Sequence, residues 1–204
     1  MSSMKSWLYV GLCTLGGLTG CAGKQAGREA SEAQGSTAEG TARRGKRPGE
    51  KVRELDLNRD GKTDVWIYLV SGKGADGQER ERMVRKEIDV NADGRVDITQ
   101  FFNEAEEKVR EEMDQDFDGQ IDSTLFFEKG VNTHTQRDVD GNGKVDVWVY
   151  YENGKLVRKE RDTNGDGKVD NWEYWQGEQV DRIGDDLDGD GKADRWTKNP
   201  NAQP

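Results

Sequence analysis

Residues 138–161 read DVDGNGKVDVWVYYENGKLVRKER, and this stretch decides the fold. It opens with nine residues in which Asp138, Asp140, Asn142 and Asp146 alternate with small or variable residues, with Gly143 in sixth place. An alternating run follows, Val147 to Tyr151, rich in β-branched and aromatic residues as strands are. Asn153-Gly154 then interrupts it, the strongest short signal for a tight hairpin turn. A second, charged run, Leu156 to Glu160, leads into the next acidic nonamer. The unit is therefore loop, strand, turn, strand.

The same unit recurs. Nonamers begin at Asp56, Asp89, Asp114, Asp138, Asp162 and Asp186, a spacing that settles at 24 residues. A fixed period of this size marks a repeat architecture. The sequence predicts an all-β domain over 51–198, an elongated antiparallel β-meander or solenoid of six acidic-loop and hairpin units. The acidic loops should gather at one end of the strands and the tight turns at the other. The return strands are mostly charged, so one sheet face should be wet.

Each nonamer follows D-x-[DN]-x-[DN]-G-x-x-D. Of the chain's 23 Asp residues, 20 sit in these six loops, while its 18 Glu residues avoid them. A merely solvated acidic surface would mix the two, so the segregation reflects a geometric demand for the shorter carboxylate. Calcium is a hard cation that takes about six to eight oxygen ligands. Short carboxylates at positions 1, 3 and 5 can converge on one point if the chain wraps sharply, and glycine at position 6 permits that wrap. Position 7 offers a backbone carbonyl, which leaves its side chain free to vary.

The pattern resembles the start of an EF-hand loop. It departs from it at position 12, where the EF-hand has Glu and this chain has Ile67, Gln100, Leu125, Val149, Glu173 and Thr197. It is closer to the nine-residue loops of integrin-type propeller repeats and thrombospondin type 3 repeats, although the latter carry cysteines that are absent here. Dockerins share the period but follow the loop with a helix. The resemblance implies that the ninth residue is a direct ligand. The ligand sets are then Asp56, Asn58, Asp60, Lys62 and Asp64; Asp89, Asn91, Asp93, Arg95 and Asp97; Asp114, Asp116, Asp118, Gln120 and Asp122. The other three are Asp138, Asp140, Asn142, Lys144 and Asp146; Asp162, Asn164, Asp166, Lys168 and Asp170; and Asp186, Asp188, Asp190, Lys192 and Asp194. Positions 7 enter through their carbonyls. Up to six Ca²⁺ are expected. Without a position-12 Glu, affinities as weak as about 10⁻⁴–10⁻³ M are expected, as in extracellular modules.

Composition agrees. Apolar residues are 31% of the 204, charged residues 35%, and the net charge is −10. Such a chain struggles to offset its ordering entropy by apolar burial. The acidic balance speaks against nucleic acid, whose phosphates need basic patches. Crowded carboxylates repel one another, so calcium should act as a folding cofactor.

The first residues read as an address. Lys5 precedes a short apolar run, Trp7 to Leu18, too short to span a bilayer, which needs about 20 residues, but the length of a signal-peptide core. It ends in Leu18-Thr19-Gly20-Cys21, which resembles the lipobox of bacterial lipoproteins. The resemblance implies cleavage after residue 20, acylation of Cys21 and loss of Cys13. With Lys5 gone the mature charge becomes −11, and six Ca²⁺ would bring it to about +1. Ala22 after the cysteine favours the outer membrane. Residues 21–50 lack aromatic and large aliphatic side chains and read as a disordered tether with a span of roughly 30 Å; 199–204 read as a disordered tail.

Trp66, Trp148, Trp172 and Trp196, with Tyr68, Phe101, Phe126, Tyr150 and Tyr174, fall on one face at period 2. They are expected to form a core ladder, the alternative being a sugar-gripping platform. His134 reads as a solvated strand position. No catalytic signature is present. The sequence thus predicts a non-enzymatic, calcium-binding lipoprotein of the cell envelope, a structural or interaction module with an envelope protein or polysaccharide as possible partner. The alternative is a surface adhesin for polysaccharide or a partner protein.

Overall fold

The computed structural model describes residues 43–73 and 77–201. The expected signal peptide, the acylation expected at Cys21 and residues 21–42 of the expected tether lie outside the described residues. Among the described residues, no helix is long and apolar enough to cross a membrane.

Twelve strands form one sheet in simple sequence order. They are β1 (Glu50–Leu55), β2 (Val65–Lys73), β3 (Glu79–Ile88), β4 (Ile98–Phe102), β5 (Lys108–Met113) and β6 (Ser123–Glu128), then β7 (Val131–Arg137), β8 (Val147–Glu152), β9 (Lys155–Arg161), β10 (Asn171–Gln176), β11 (Gln179–Asp185) and β12 (Arg195–Lys198). Every pairing is antiparallel between sequence neighbours. The expected meander is present, and it stays open: β1 and β12 each have a single neighbour. Each acidic nonamer fills the whole gap after an odd-numbered strand, and each hairpin turn follows an even-numbered one.

The turns match their chemistry. Lys129-Gly130 and Asn153-Gly154 take positive φ at both central residues (50° and 78°; 50° and 75°), the signature of a type I′ turn. One feature was not legible in the sequence. A register shift of one residue recurs beside each aromatic strand, at Tyr68/Leu69, Phe101/Phe102, Phe126/Phe127, Tyr150/Tyr151 and Tyr174/Trp175. The extra residue, such as Val157 opposite Tyr150–Tyr151, is a bulge.

The register places two rows side by side across one face. The first runs Tyr68–Arg85–Phe101–Arg110–Phe126–His134–Tyr150–Arg158–Tyr174–Arg182. The second runs Trp66–Glu87–Thr99–Glu112–Thr124–Gln136–Trp148–Glu160–Trp172–Gly184–Trp196. Across the rows Tyr174 and Trp196 approach to 5.8 Å at a tilt, but along the first row aromatic residues do not stack directly on the next unit. A cation stands between them: Arg85 lies 3.8 Å over Tyr68, Arg110 4.1 Å over Phe101, Arg158 4.0 Å over Tyr150 and Arg182 4.5 Å over Tyr174. Such pairs contribute about 0.5–2 kcal/mol each, more as water is excluded. His134 takes the arginine's place in the third hairpin as a stacked ring, 4.0 Å from Phe126 and 6.0 Å from Tyr150. It is half-buried in the ladder rather than a solvated strand residue, and burial lowers its pKa.

The apolar core is thin and lies at one end of the sheet, around Trp66, Tyr68 and Val96. A segment assigned to the tether helps to close it. Arg44 and Gly45 accept hydrogen bonds through their carbonyls from Arg85 Nη2 at 2.9 and 3.1 Å, and Arg44 Nη1 pairs with Glu112 at 2.7 Å. Arg43 lies 5.1 Å over Trp66. Tyr68, Arg85, Glu87 and Glu50 are consequently buried together, with Tyr68 donating to Glu87 at 2.7 Å. Burial raises the pKa of the Tyr68 hydroxyl. At the other end Asn199, read as the start of the tail, is bonded to Asp181 and Val180 of β11.

Candidate metal centres

All six loops fold in the same way. Position 9 accepts from the N–H groups of positions 2 and 3 through one oxygen, as Asp64 Oδ2 does from Leu57 (2.6 Å) and Asn58 (3.1 Å). Position 1 receives Gly at position 6, as Asp138 Oδ2 receives Gly143 at 2.6 Å. The side chains at positions 3 and 5 accept from the amides of positions 5 and 7, for example Asn58 Oδ1 from the Asp60 N–H at 2.8 Å and Asp60 Oδ1 from the Lys62 N–H at 2.8 Å. These local bonds explain Asp and Asn at each place: a longer Glu would not close the same Asx turns.

The wrap uses two left-handed residues per loop. Position 6 is glycine throughout, with φ of 83° to 99°. Position 4 is left-handed as well: Gly141, Gly165 and Gly189 in the last three loops, but Arg59, Ala92 and Phe117 in the first three (φ 65°, 62° and 66°). Sequence reasoning found only the first. The glycines at position 4 of three loops were the available signal.

Three loops bring carboxylates together. Oxygens of Asp114, Asp116 and Asp122 all lie within 4.8 Å of one another, as do those of Asp138, Asp140 and Asp146 and those of Asp186, Asp188 and Asp194. These Asp-rich groups, positions 1, 3 and 9, could hold a metal ion. In the other three loops position 3 is Asn58, Asn91 or Asn164, so the trio has an amide in place of one carboxylate. There Asn58 Nδ2 donates to Asp60 and Asn91 Nδ2 to Asp93 (3.3 and 3.2 Å). Position 5 stands outside the trios in loops three and six, where Gln120 holds Asp118 at 3.0 Å and Lys192 holds Asp190 at 2.9 Å. The side chain at position 7, read as free to vary, thus pairs with position 5 there.

Buried oxygen atoms without a donor provide an independent observation. Asp97 is 1% exposed. Its Oδ2 accepts from Val90 and Asn91, while its Oδ1 has no hydrogen-bond partner. Across the same loop Asp89 is buried, its Oδ2 accepts from Gly94 and its Oδ1 is again unpartnered. Asp170 Oδ1 repeats this in loop five. A buried unsatisfied carboxylate oxygen is costly. An oxygen-liganded cation satisfies it, so the residues fit a hard divalent ion.

Loop electrostatics differ along the chain. Burial raises the pKa of Asp114, against hydrogen bonds from Gly119 and Phe117 and with Asp118 and Asp122 nearby. At Asp186 the upward push of burial is outweighed by donors from Gly191, Gly189, Asp188 and Asp190, and the net shift is downward. The hydrogen bond from Lys192 lowers the pKa of Asp190.

No family model and no curated protein matches the chain. A crystal structure of accessory secretory proteins 1, 2 and 3 from Streptococcus pneumoniae aligns at 14% identity and a TM-score of 0.42, over 62% of this chain and 22% of that one. The chain spans about a fifth of that structure's length. A protein of unknown function from Bacteroides fragilis aligns at 12% identity and a TM-score of 0.16, over 74% and 94% of the two chains.

Proposed function

We propose that this chain is a calcium-organised, lipid-anchored module of a bacterial cell envelope, acting as a spacer or interaction platform rather than as an enzyme. The observation that carries the metal reading is the pair Asp89 and Asp97, buried with one carboxylate oxygen each left without a donor. Calcium is favoured over magnesium because magnesium prefers a few carboxylates with waters to an all-protein cage. It is favoured over zinc because zinc takes His and Cys. The loops would supply carboxylates and carbonyls, and the ion would supply the charge that lets them crowd. The anchor rests on the Leu18–Cys21 box.

Calorimetric titration of the mature chain with Cys21→Ser tests the metal. About six equivalents of calcium should bind, with magnesium much weaker. Absence of any calcium binding overturns the reading. Radiolabelled palmitate incorporation into the full-length chain, lost in Cys21→Ser, tests the anchor.

A further inference from the structure

The six loops share one fold but differ in how far their carboxylates are withdrawn from water. In five of them the position-1 carboxylate is bonded through both oxygens. One accepts from glycine at position 6 and the other from the amide at position 4, as Asp186 does from Gly191 (2.7 Å) and Gly189 (2.8 Å); Asp56, Asp114, Asp138 and Asp162 repeat the pair. Loop two lacks the second bond. Asp89 is buried, its Oδ2 accepts from Gly94, and its Oδ1 has no partner. Across the loop Asp97 is 1% exposed, with Oδ1 equally unpartnered. In loop one the corresponding oxygen, Asp64 Oδ1, faces Asn58 Nδ2 at 3.4 Å, so position 9 turns this atom towards the loop interior.

Loop two is also the loop built into the apolar core. Val96, at position 8, packs with Trp66 and Tyr68, and Asp97 next to it is carried into the interior. Asn91 and Asp93 remain exposed, so the loop keeps a way in for an ion. Its position-7 cation is turned away: Arg95 Nη1 reaches the Asp118 carbonyl of loop three at 3.5 Å. Loop six is the opposite. Asp188, Asp190 and Asp194 are exposed, and Lys192 at position 7 bonds Asp190 of its own loop at 2.9 Å. One of its four carboxylates is thus already neutralised. Three remain, the number that loop two has in Asp89, Asp93 and Asp97.

We propose that calcium fills the loops in a fixed order, with Asp89–Asp97 first and Asp186–Asp194 last. Resting on the calcium reading above, this order follows from hydration rather than from charge. In loop two the fold has already dehydrated two carboxylate oxygens and left them without donors. An ion there relieves that cost and meets the oxygens where the dielectric is low. In loop six an ion must strip water from exposed oxygens and compete with Lys192 Nζ for Asp190. Loop five falls between, with one unpartnered oxygen, Asp170 Oδ1, and Asp162 bonded through both of its own. Ranking by carboxylate number would run the other way, since loop six has four and loop two three.

Calcium titration of the mature chain with Cys21→Ser, followed by amide NMR, tests this. Gly94 and Gly191 are the reporters, because each donates to the position-1 carboxylate of its own loop (2.8 and 2.7 Å). The Gly94 signal should reach its midpoint at about tenfold lower free calcium than Gly191, near the low end of what relieving a buried unpaired oxygen is worth. Asp97→Asn keeps an acceptor for Val90 and Asn91 but loses the charge; it should remove the early Gly94 transition and leave the Gly191 midpoint in place. Lys192→Ala should strengthen loop six about threefold, the size of one exposed ion pair, and it still decides if Asp97→Asn misfolds. Coincident midpoints, Gly191 moving first, an early transition that survives Asp97→Asn, or no response to Lys192→Ala would overturn the order and leave calcium binding intact. No shift at either glycine at any calcium concentration would instead overturn the metal reading, and the order with it.

Discussion

The backbone N–H of Asp162 donates to the carbonyl oxygen of Asp146 at 2.8 Å. The ninth residue of one loop is thereby bonded to the first of the next. The same bond links Asp64 to Asp89, Asp97 to Asp114, Asp122 to Asp138 and Asp170 to Asp186. The six loops form a mechanically continuous chain along one end of the strands.

Neighbouring sites should therefore be coupled. Asp146→Ala removes the ninth carboxylate of loop four and frees the backbone that positions Asp162. Calcium stoichiometry should fall by one, and loop five should weaken by about 1 kcal/mol, at the lower end of typical coupling energies. Isothermal titration of this variant, compared with the distant Asp64→Ala, checks it. Equal effects on loop five would show the sites to be independent.

Metal removal should cost stability throughout the sheet. Each site saturated at about 100 times its Kd contributes roughly 2.7 kcal/mol, and the apolar core is too thin to offset the loss. Addition of EDTA should lower the melting temperature sharply and reduce β signal in circular dichroism. An unchanged melt would end the folding-cofactor account.

The left-handed position 4 offers a stabilising substitution. Ala92 sits at φ 62°, a conformation that costs non-glycine residues about 1–2 kcal/mol. Ala92→Gly recovers that strain, less the extra chain entropy of glycine in the unfolded state. A gain of up to about 1 kcal/mol is expected in urea melts, and a comparable loss for Gly165→Ala.

The buried ion cluster should be intolerant of half-removal. Glu87 is fully buried, 3.3 Å from Arg85 and hydrogen-bonded by Tyr68. Glu87→Ala leaves Arg85 with less compensation, and losses of about 3–5 kcal/mol follow when one partner of a buried pair goes. Deleting residues 43–47 should weaken the same end of the sheet, seen as faster amide exchange in β2 and β3.

His134 sets a pH dependence. Burial favours its neutral form in the folded state, lowering its pKa below the unfolded value near 6.5. The unfolded chain then takes up the proton first. Stability from this group is complete above about pH 6.5 and declines as the pH falls towards the folded pKa. His134→Phe should remove that part of the decline, and NMR titration of the ring should show the depressed midpoint.

The sequence by itself determined the repeat, the strand order and the loops. A 24-residue period with Asp-rich nonamers, Asn153-Gly154 and alternating strands leaves an antiparallel meander little choice, because each signal is local and recurs in register. Local too are the Asx bonds that shape every loop, so Asp114, Asp116 and Asp122 could be grouped before any coordinates. What only the tertiary structure decided lies between strands and depends on register. The bulge opposite Tyr150–Tyr151, the insertion of Arg158 and His134 between aromatic rings, and the docking of Arg43–Arg47 over Tyr68 are set by which residues face one another across hydrogen-bonded pairs. Periodicity along one strand carries no record of that pairing, nor of which half of a repeated face the chain will cover with itself.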